Sequence, residues 1–499
     1  MTPESFFAAL WRAGPTSVVL RTPGVEVDRR DLEAAVALRC RRLTGSRVLA
    51  VLADNGPEWV MADLAALHCG VAHLPLPAFF SDAQLRHAIT AAGVDTLWTD
   101  DPARILALGV GFHGDGAIDG FVCLTRRCDP VALPEGTAKI SFTSGSSGTP
   151  KGTCLDARRL LATAESICEA LGDVSVERHL AVLPLALLLE NVAGVYAPLL
   201  RRATVDLPPL AALGWRGMAG FDPGALQAAV MRAAPQSAIL VPELLKAWTL
   251  HLASTGTSAP GTLAYVAVGG AHVAPSALRQ ARACRIPAYQ GYGLTECGSV
   301  VCLNRPGDDG AGVGRPLGHV GVRVREGEVV VDGAPFLGYL GDPAAGARSG
   351  FPTGDLGRID PKGHLHLEGR RSNLLITGYG RNVAPEWIES TLLAQPEITQ
   401  AIVFGDGMPH LGALLVPFPG QESERIRAAV TRANEALPDY ARVRRWVPVP
   451  PFTAAAGLLT GNGRPVRAEI HRRYAGPIAS IAHVATDMAP AADGRSSGG

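Results

Sequence analysis

Short, wholly apolar runs alternate with segments of helical period through the first two-thirds of the chain. Val48-Leu49-Ala50-Val51-Leu52 has no polar position, which predicts a strand covered on both faces. Glu58 to Cys69 follows as a helix, Leu74-Pro75-Leu76 resumes extended structure, and Asp82 to Ala92 reads as a second helix. Ser237 to Val241 and Ala264 to Val268 repeat the strand pattern beside helical or glycine-rich elements, while Gly327 to Val331 is hairpin-like. This alternation predicts an α/β fold whose large N-terminal domain holds mixed and parallel sheets flanked by helices.

The hydrophobic pattern restarts near Gly369, after the turn signal Asp360-Pro361-Lys362-Gly363. Pro385 to Leu393 predicts a helix, Ala401 to Phe404 a strand, and Ser423 to Leu437 an amphipathic helix. The expected division is residues 1–369, a small α+β domain at 370–482, and a disordered tail at 483–499 rich in Ala, Pro, Gly and Ser. Leu180 to Leu200 is apolar enough to suggest a membrane span. Glu190 at its middle, with Pro184 and Asn191, predicts a buried helix instead, and no stable membrane insertion.

Composition narrows the class. At 499 residues, 47% hydrophobic and 18% charged, the chain is long enough for more than one buried core. A formal net charge of zero gives no field to attract nucleic acid, so no nucleic-acid partner is expected. Nine scattered cysteines without a C-x-x-C pair or zinc spacing read as reduced, buried thiols. The N-terminus lacks a basic start followed by an apolar stretch. Together these point to a cytoplasmic protein.

Candidate chemistry centres on Phe142 to Gly152, F-T-S-G-S-S-G-T-P-K-G. Small residues let several backbone N–H groups face one concavity, a nest that suits phosphate oxygens. Gly145 and Gly148 permit the backbone angles, Thr143, Ser144, Ser146, Ser147 and Thr149 add hydroxyls, and Lys151 adds a mobile charge. Pro150 stands where a Walker loop needs its second glycine, so the run implies a nucleotide held outside that geometry.

Further along come Q-G-Y-G-L-T-E at 290–296, T-G-D-L-G-R at 353–358, Gly369-Arg370 and Gly380-Arg381-Asn382-Val383. In this order the set resembles the adenylate-forming superfamily of acyl-CoA synthetases, adenylation domains and luciferases, over roughly residues 45 to 470. Leu183-Pro184-Leu185-Ala186-Leu187-Leu188-Leu189-Glu190 resembles the L-P-L-x-H-x-x-E pattern of long-chain members, with Leu187 at the histidine position.

The resemblance implies a small C-terminal domain that is mobile, and an acid–thiol ligase using ATP, Mg²⁺ and CoA, or the phosphopantetheine of an acyl carrier protein. Its acid would be fatty or otherwise hydrophobic. By the same resemblance, residues 143–149 and Lys151 grip the β- and γ-phosphates, Thr143 and Glu296 attend the metal, and Thr295 bonds the α-phosphate. Tyr292 lies against adenine with Gln290, Gly291, Gly293, Gly270 and Ala271 around it. Asp355 accepts from the ribose hydroxyls, a role that suits an acceptor-only carboxylate, and Arg370 contacts ribose or phosphate. Gly269, Leu187 and Glu190 border the acyl group.

Two positions depart from the family. Ser372 stands at the hinge, usually Asp or Lys, and Arg464 stands at the catalytic lysine of a T-x-x-G-K-x-x-R-like stretch. No lysine follows Lys362, so no neighbour substitutes; arginine keeps the charge but not the point geometry. Three readings therefore stand: a CoA ligase, an enzyme loading a carrier protein, and a low-turnover binder of nucleotide or acyl-adenylate.

Overall fold

Val48–Leu52 forms a strand with all five residues buried. The helix Pro57–Cys69 follows, then the strand Ala72–Pro75 and the helix Asp82–Ala91. The computed structural model describes the chain except residues 13, 15, 144–150, 218–219, 310–311, 334–335, 347–349, 379–380, 461–462 and 484–499. The chain separates into two units, Met1–Glu368 and Gly369–Gly499.

In the first unit, Val48–Leu52 lies inside an eight-stranded sheet, paired in parallel with Ala72–Pro75 and Thr96–Thr99. Thr137–Thr143 joins the parallel set and is followed by its antiparallel partner Lys151–Asp156. A second, nine-stranded sheet has a parallel middle that includes Arg178–Leu180, Ser237–Leu240, Tyr265–Val268 and Ala288–Leu294. A four-stranded sheet contains the hairpin Gly321–Arg325/Glu328–Asp332 and the strand Phe351–Ile359. Val48–Leu52, paired on both edges and buried throughout, is apolar at every position, as a strand covered on both faces requires.

Leu180 to Leu200 is not one regular helix. It leaves the strand Arg178–Leu180 through a turn and enters a π-helical stretch, Glu190–Tyr196, that runs into Ala197–Leu200. The wider turn sets Glu190, Asn191 and Tyr196 all inward, and each is buried. Among the described residues no helix is long and apolar enough to cross a membrane.

The inward polar groups belong to a buried cluster. Asp63 accepts from Lys139 Nζ at 2.7 Å, Asn191 Nδ2 at 2.8 Å and Tyr196 Oη at 2.7 Å, and lies 2.6 Å from His73 Nδ1. Burial works to raise the Asp63 carboxyl, but the Lys139 ammonium and the His73 hydrogen bond outweigh it and hold it well below the ordinary carboxylate range. Burial keeps His73 neutral. The cluster ties the helix Pro57–Cys69 to the strand Thr137–Thr143, which leads into the glycine-serine segment.

The second unit has a three-stranded sheet, in which Ile398–Phe404 pairs antiparallel with Leu411–Pro417 and that strand pairs in parallel with Val443–Pro448. The helices Pro385–Leu393 and Ser423–Glu435 pack on its apolar core. A closing helix, Ala475–His483, carries helical structure to residue 483, where the tail was expected to begin. The rest of that tail lies outside the described residues.

Candidate functional site

One strand organises the site. Ala288–Leu294 is parallel to Tyr265–Val268 up to Gln290 and antiparallel to Ser299–Leu303 from Gly291 onward. At this switch the backbone of the partner strand comes close. A Cβ on Gly293 would lie 1.8 Å from Ser299 O, so only glycine fits there. The chain then turns through Thr295–Cys297 and reverses at Gly298, with φ +75°. Ser299 also has positive φ, +97°, a costly conformation for a side-chain-bearing residue at the tightest point of the turn.

This reversal places two side chains against other elements. Tyr292 Oη donates to Asp355 Oδ2 at 2.6 Å. Asp355 is buried, and its N–H donates to Thr353 Oγ1, which in turn donates to Val329 O. Burial, then the Asp355 charge, pushes the Tyr292 phenol far above its usual range, so it stays a donor. Four residues on, Glu296 Oε1 accepts from Tyr339 Oη at 3.0 Å, and Glu296 O accepts from Phe336 N. Tyr339 is held by pairing of Gly338–Tyr339 with Cys154 and Thr153. Its ring lies 5.4 Å from Lys151 Nζ, a cation–π contact.

Lys151 and Glu296, distant in sequence, thus meet on two sides of one tyrosine. Thr143 stands opposite Lys151 in the antiparallel pair. Ser144, Gly145, Ser146, Ser147, Gly148 and Thr149, the core of the phosphate segment, lie outside the described residues. Thr295 is half-buried in the turn beside Glu296. Among the described residues no group of three or more His, Cys, Asp or Glu forms a metal cage. A Mg²⁺ ion carried on nucleotide phosphates takes only one or two protein carboxylates, so the single hard carboxylate of Glu296 fits that demand.

On the acyl side, Gly269 follows the strand Tyr265–Val268. A Cβ there would meet Leu189 Cδ2 at 3.7 Å and Gly291 O at 3.9 Å. The leucine-rich segment, the Gly269-Gly270 turn and the tyrosine-bearing strand therefore converge. Gly270 and Ala271 are exposed, and Leu187 is half-buried on an apolar cluster. Glu190 sits differently from a wall residue. It is 0% exposed, Oε1 lies 3.0 Å from His179 Nε2, and Oε2 accepts from Leu183 N at 3.0 Å. Burial raises its pKa, with His179 opposing. Its carboxylate fixes the Leu183–Leu189 turn from inside.

Arg370, Ser372 and Arg464 belong to the second unit and are exposed. Arg464 sits on a tight turn closed by Thr460 N to Arg464 O at 2.7 Å and Arg464 N to Thr460 Oγ1 at 3.1 Å.

Two contributors escaped sequence reading. Tyr339, in F-L-G-Y-L, carried no periodic or motif signal of its own. Asn304, 1% exposed, takes Gln290 O with both its backbone N–H and its side-chain Nδ2 at 3.1 Å, and Nδ2 reaches Gly312 O at 2.7 Å. It clamps the strand at the point where pairing switches.

The family model for AMP-binding enzymes matches residues 24–340, and that for the AMP-binding enzyme C-terminal domain matches residues 372–484. The chain is 26% identical to the long-chain-fatty-acid–CoA ligase FadD15 of Mycobacterium bovis, covering 92% of this chain and 93% of that one. It is 28% identical to a feruloyl-CoA synthase of an Amycolatopsis species, covering 93% and 97%. The solved structure of O-succinylbenzoate coenzyme A synthetase from Bacillus subtilis with ATP and magnesium ion superposes with a TM-score of 0.72 at 21% identity, covering 93% and 98%.

Proposed function

The chain belongs to the AMP-binding enzyme family, and from that premise we propose that it is an AMP-forming acid–thiol ligase acting on a hydrophobic carboxylic acid. The observation that carries the reading is the convergence of Tyr292–Asp355 and Lys151–Tyr339–Glu296 around one glycine-rich strand reversal. In the proposed roles it would bring a ribose acceptor, an aromatic face, a phosphate cation and a metal carboxylate to the short segment from Tyr292 to Glu296.

In this reading the acid's carboxylate attacks the α-phosphorus of ATP, pyrophosphate leaves, and a thiol then takes the acyl group from the adenylate. Asp355 holds the ribose diol, Tyr292 packs on adenine, Thr295 donates to the α-phosphate, and Lys151 meets the outer phosphates. Mg²⁺, bound through Glu296, would neutralise triphosphate charge. Arg370 and Arg464 are proposed as further cations toward the nucleotide, with Arg464 countering charge that develops during transfer. Ser372 is proposed as the hinge, a small residue able to absorb dihedral change.

A hydrophobic acid is favoured because Leu187 replaces a polar position and Leu189 packs against Gly269. The curated relatives include both fatty and aromatic acid ligases, so the acid class rests on those two leucines. CoA is the proposed acceptor and the cytoplasm the proposed compartment. The test is AMP release by the full chain with ATP, Mg²⁺, CoA and a panel of fatty and aromatic acids, repeated with a holo-carrier protein in place of CoA. Release that needs both an apolar acid and CoA supports the proposal. Release only with the carrier protein reassigns the acceptor, and none with any acid removes the ligase reading.

A further inference from the structure

The cysteines are not uniformly buried. Cys123, Cys154, Cys297 and Cys302 are buried, whereas Cys69 is exposed and Cys40 half-exposed. These two come from neighbouring helices, Arg29–Arg42 and Pro57–Cys69, near the C-terminal end of each. Both thiols turn to the same carbonyl: Cys69 Sγ lies 2.9 Å and Cys40 Sγ 3.5 Å from Ala65 O. His68 Nδ1 lies 3.7 Å from Cys40 Sγ. Two thiols gathered on one carbonyl oxygen, one at the surface, with an imidazole beside the other, form a cluster that acyl transfer does not use.

We propose that Cys40 and Cys69 are a peroxide-oxidisable dithiol that closes to a reversible disulfide between the two helix ends. Cys69 is the attacking sulfur, being the exposed one of the two. The neighbouring Cys40 thiol is the largest influence drawing its pKa down, to about 7. Burial instead pushes the Cys154 and Cys168 thiols up to about 11. The Cys69 thiolate attacks one oxygen of hydrogen peroxide and the O–O bond breaks. Cys69 becomes a sulfenic acid, and the departing hydroxide is protonated to water. His68 then accepts the Cys40 proton, Cys40 attacks the Cys69 sulfur, the S–O bond breaks, and a second water leaves with that proton. Two thiols and one peroxide give one disulfide and two waters.

The product staples the ends of the helices and closes a loop containing the strand Val48–Leu52 and all of Pro57–Cys69. This inference is independent of the ligase reading. It is tested on the full-length chain, titrated with hydrogen peroxide and digested for peptide mapping under non-reducing conditions. The expected result is a Cys40–Cys69 linked peptide, lighter by two hydrogens and released by dithiothreitol. Cys40→Ser should stop at a dimedone-trappable sulfenic acid on Cys69, and Cys69→Ser should give no link. On the untreated wild type, which needs no variant, iodoacetamide should label Cys69 at least tenfold faster than Cys128 at neutral pH. Linkage through other cysteines, no linkage in a folded wild type, or equal labelling of Cys69 and Cys128 would overturn the proposal.

Discussion

Tyr339→Phe removes one oxygen and leaves the rest of the contact set in place. The lost bond is the phenol donating to Glu296 Oε1 at 3.0 Å, while the ring that faces Lys151 remains. A hydrogen bond to a charged group contributes about 1.5–3 kcal/mol when well buried. Glu296 and Tyr339 are only half-buried, so water replaces part of the loss and about 1–2 kcal/mol is expected. If Glu296 must keep its orientation through the transition state, that is roughly 5–30-fold in rate. Tyr339→Leu also removes the cation–π face and should cost a further factor of a few. The assay is acid-dependent ATP–pyrophosphate exchange at several Mg²⁺ concentrations. Phe should lower exchange and raise the Mg²⁺ needed for half-maximal rate, with Leu worse than Phe. Unchanged Mg²⁺ dependence in both variants would refute the idea that Tyr339 aims Glu296.

Other consequences are equally open to measurement. Asp63→Ala leaves Lys139 buried without its carboxylate, and urea unfolding should show a loss of about 3–5 kcal/mol, because one partner of a buried pair is removed. The folded Asp63 carboxyl is held below its unfolded value. Its contribution is therefore complete above about pH 4 and lost as pH falls through and below that value, and Asp63→Asn should flatten this acid limb. Arg464→Ala should lower exchange by about 10²–10³, and Arg464→Lys should retain or improve it; equal exchange in all three proteins would remove residue 464 from the reaction. Gly269→Ala adds a methyl in ordinary contact with Leu189 and Gly291, so the fold should persist while preference shifts toward smaller acids.

The sequence made the locally determined parts legible. Val48–Leu52 is apolar at every position, and such a run has few alternatives to a strand covered on both faces. Gly291, Gly293 and Gly298 are closely spaced in the sequence, a pattern that permits close backbone approach, and the 1.8 Å separation a Cβ on Gly293 would have from Ser299 O is its physical content. Contacts set by long-range topology were illegible. Asp63, His73, Lys139, Asn191 and Tyr196 meet only after two helices and two strands have assembled. Tyr339 reaches Glu296 only because a two-residue strand pairs with Cys154 and Thr153. Glu190 matched a family pattern by position, yet its environment sends it to His179. Cys69 looked like a core thiol in an apolar helix, but it lies on the last turn, where the helix emerges.

The central claim is that the reversal after Ala288–Leu294 readies ATP for attack by an organic acid. The most direct test is ATP–pyrophosphate exchange with the purified full chain and Mg²⁺, with and without a panel of hydrophobic acids, in wild type and Glu296→Gln. The account predicts exchange that requires an acid and falls by at least tenfold in the variant, while the variant keeps the wild-type unfolding midpoint. Exchange that is undiminished in Glu296→Gln, or absent from the folded wild type with every acid, would contradict it.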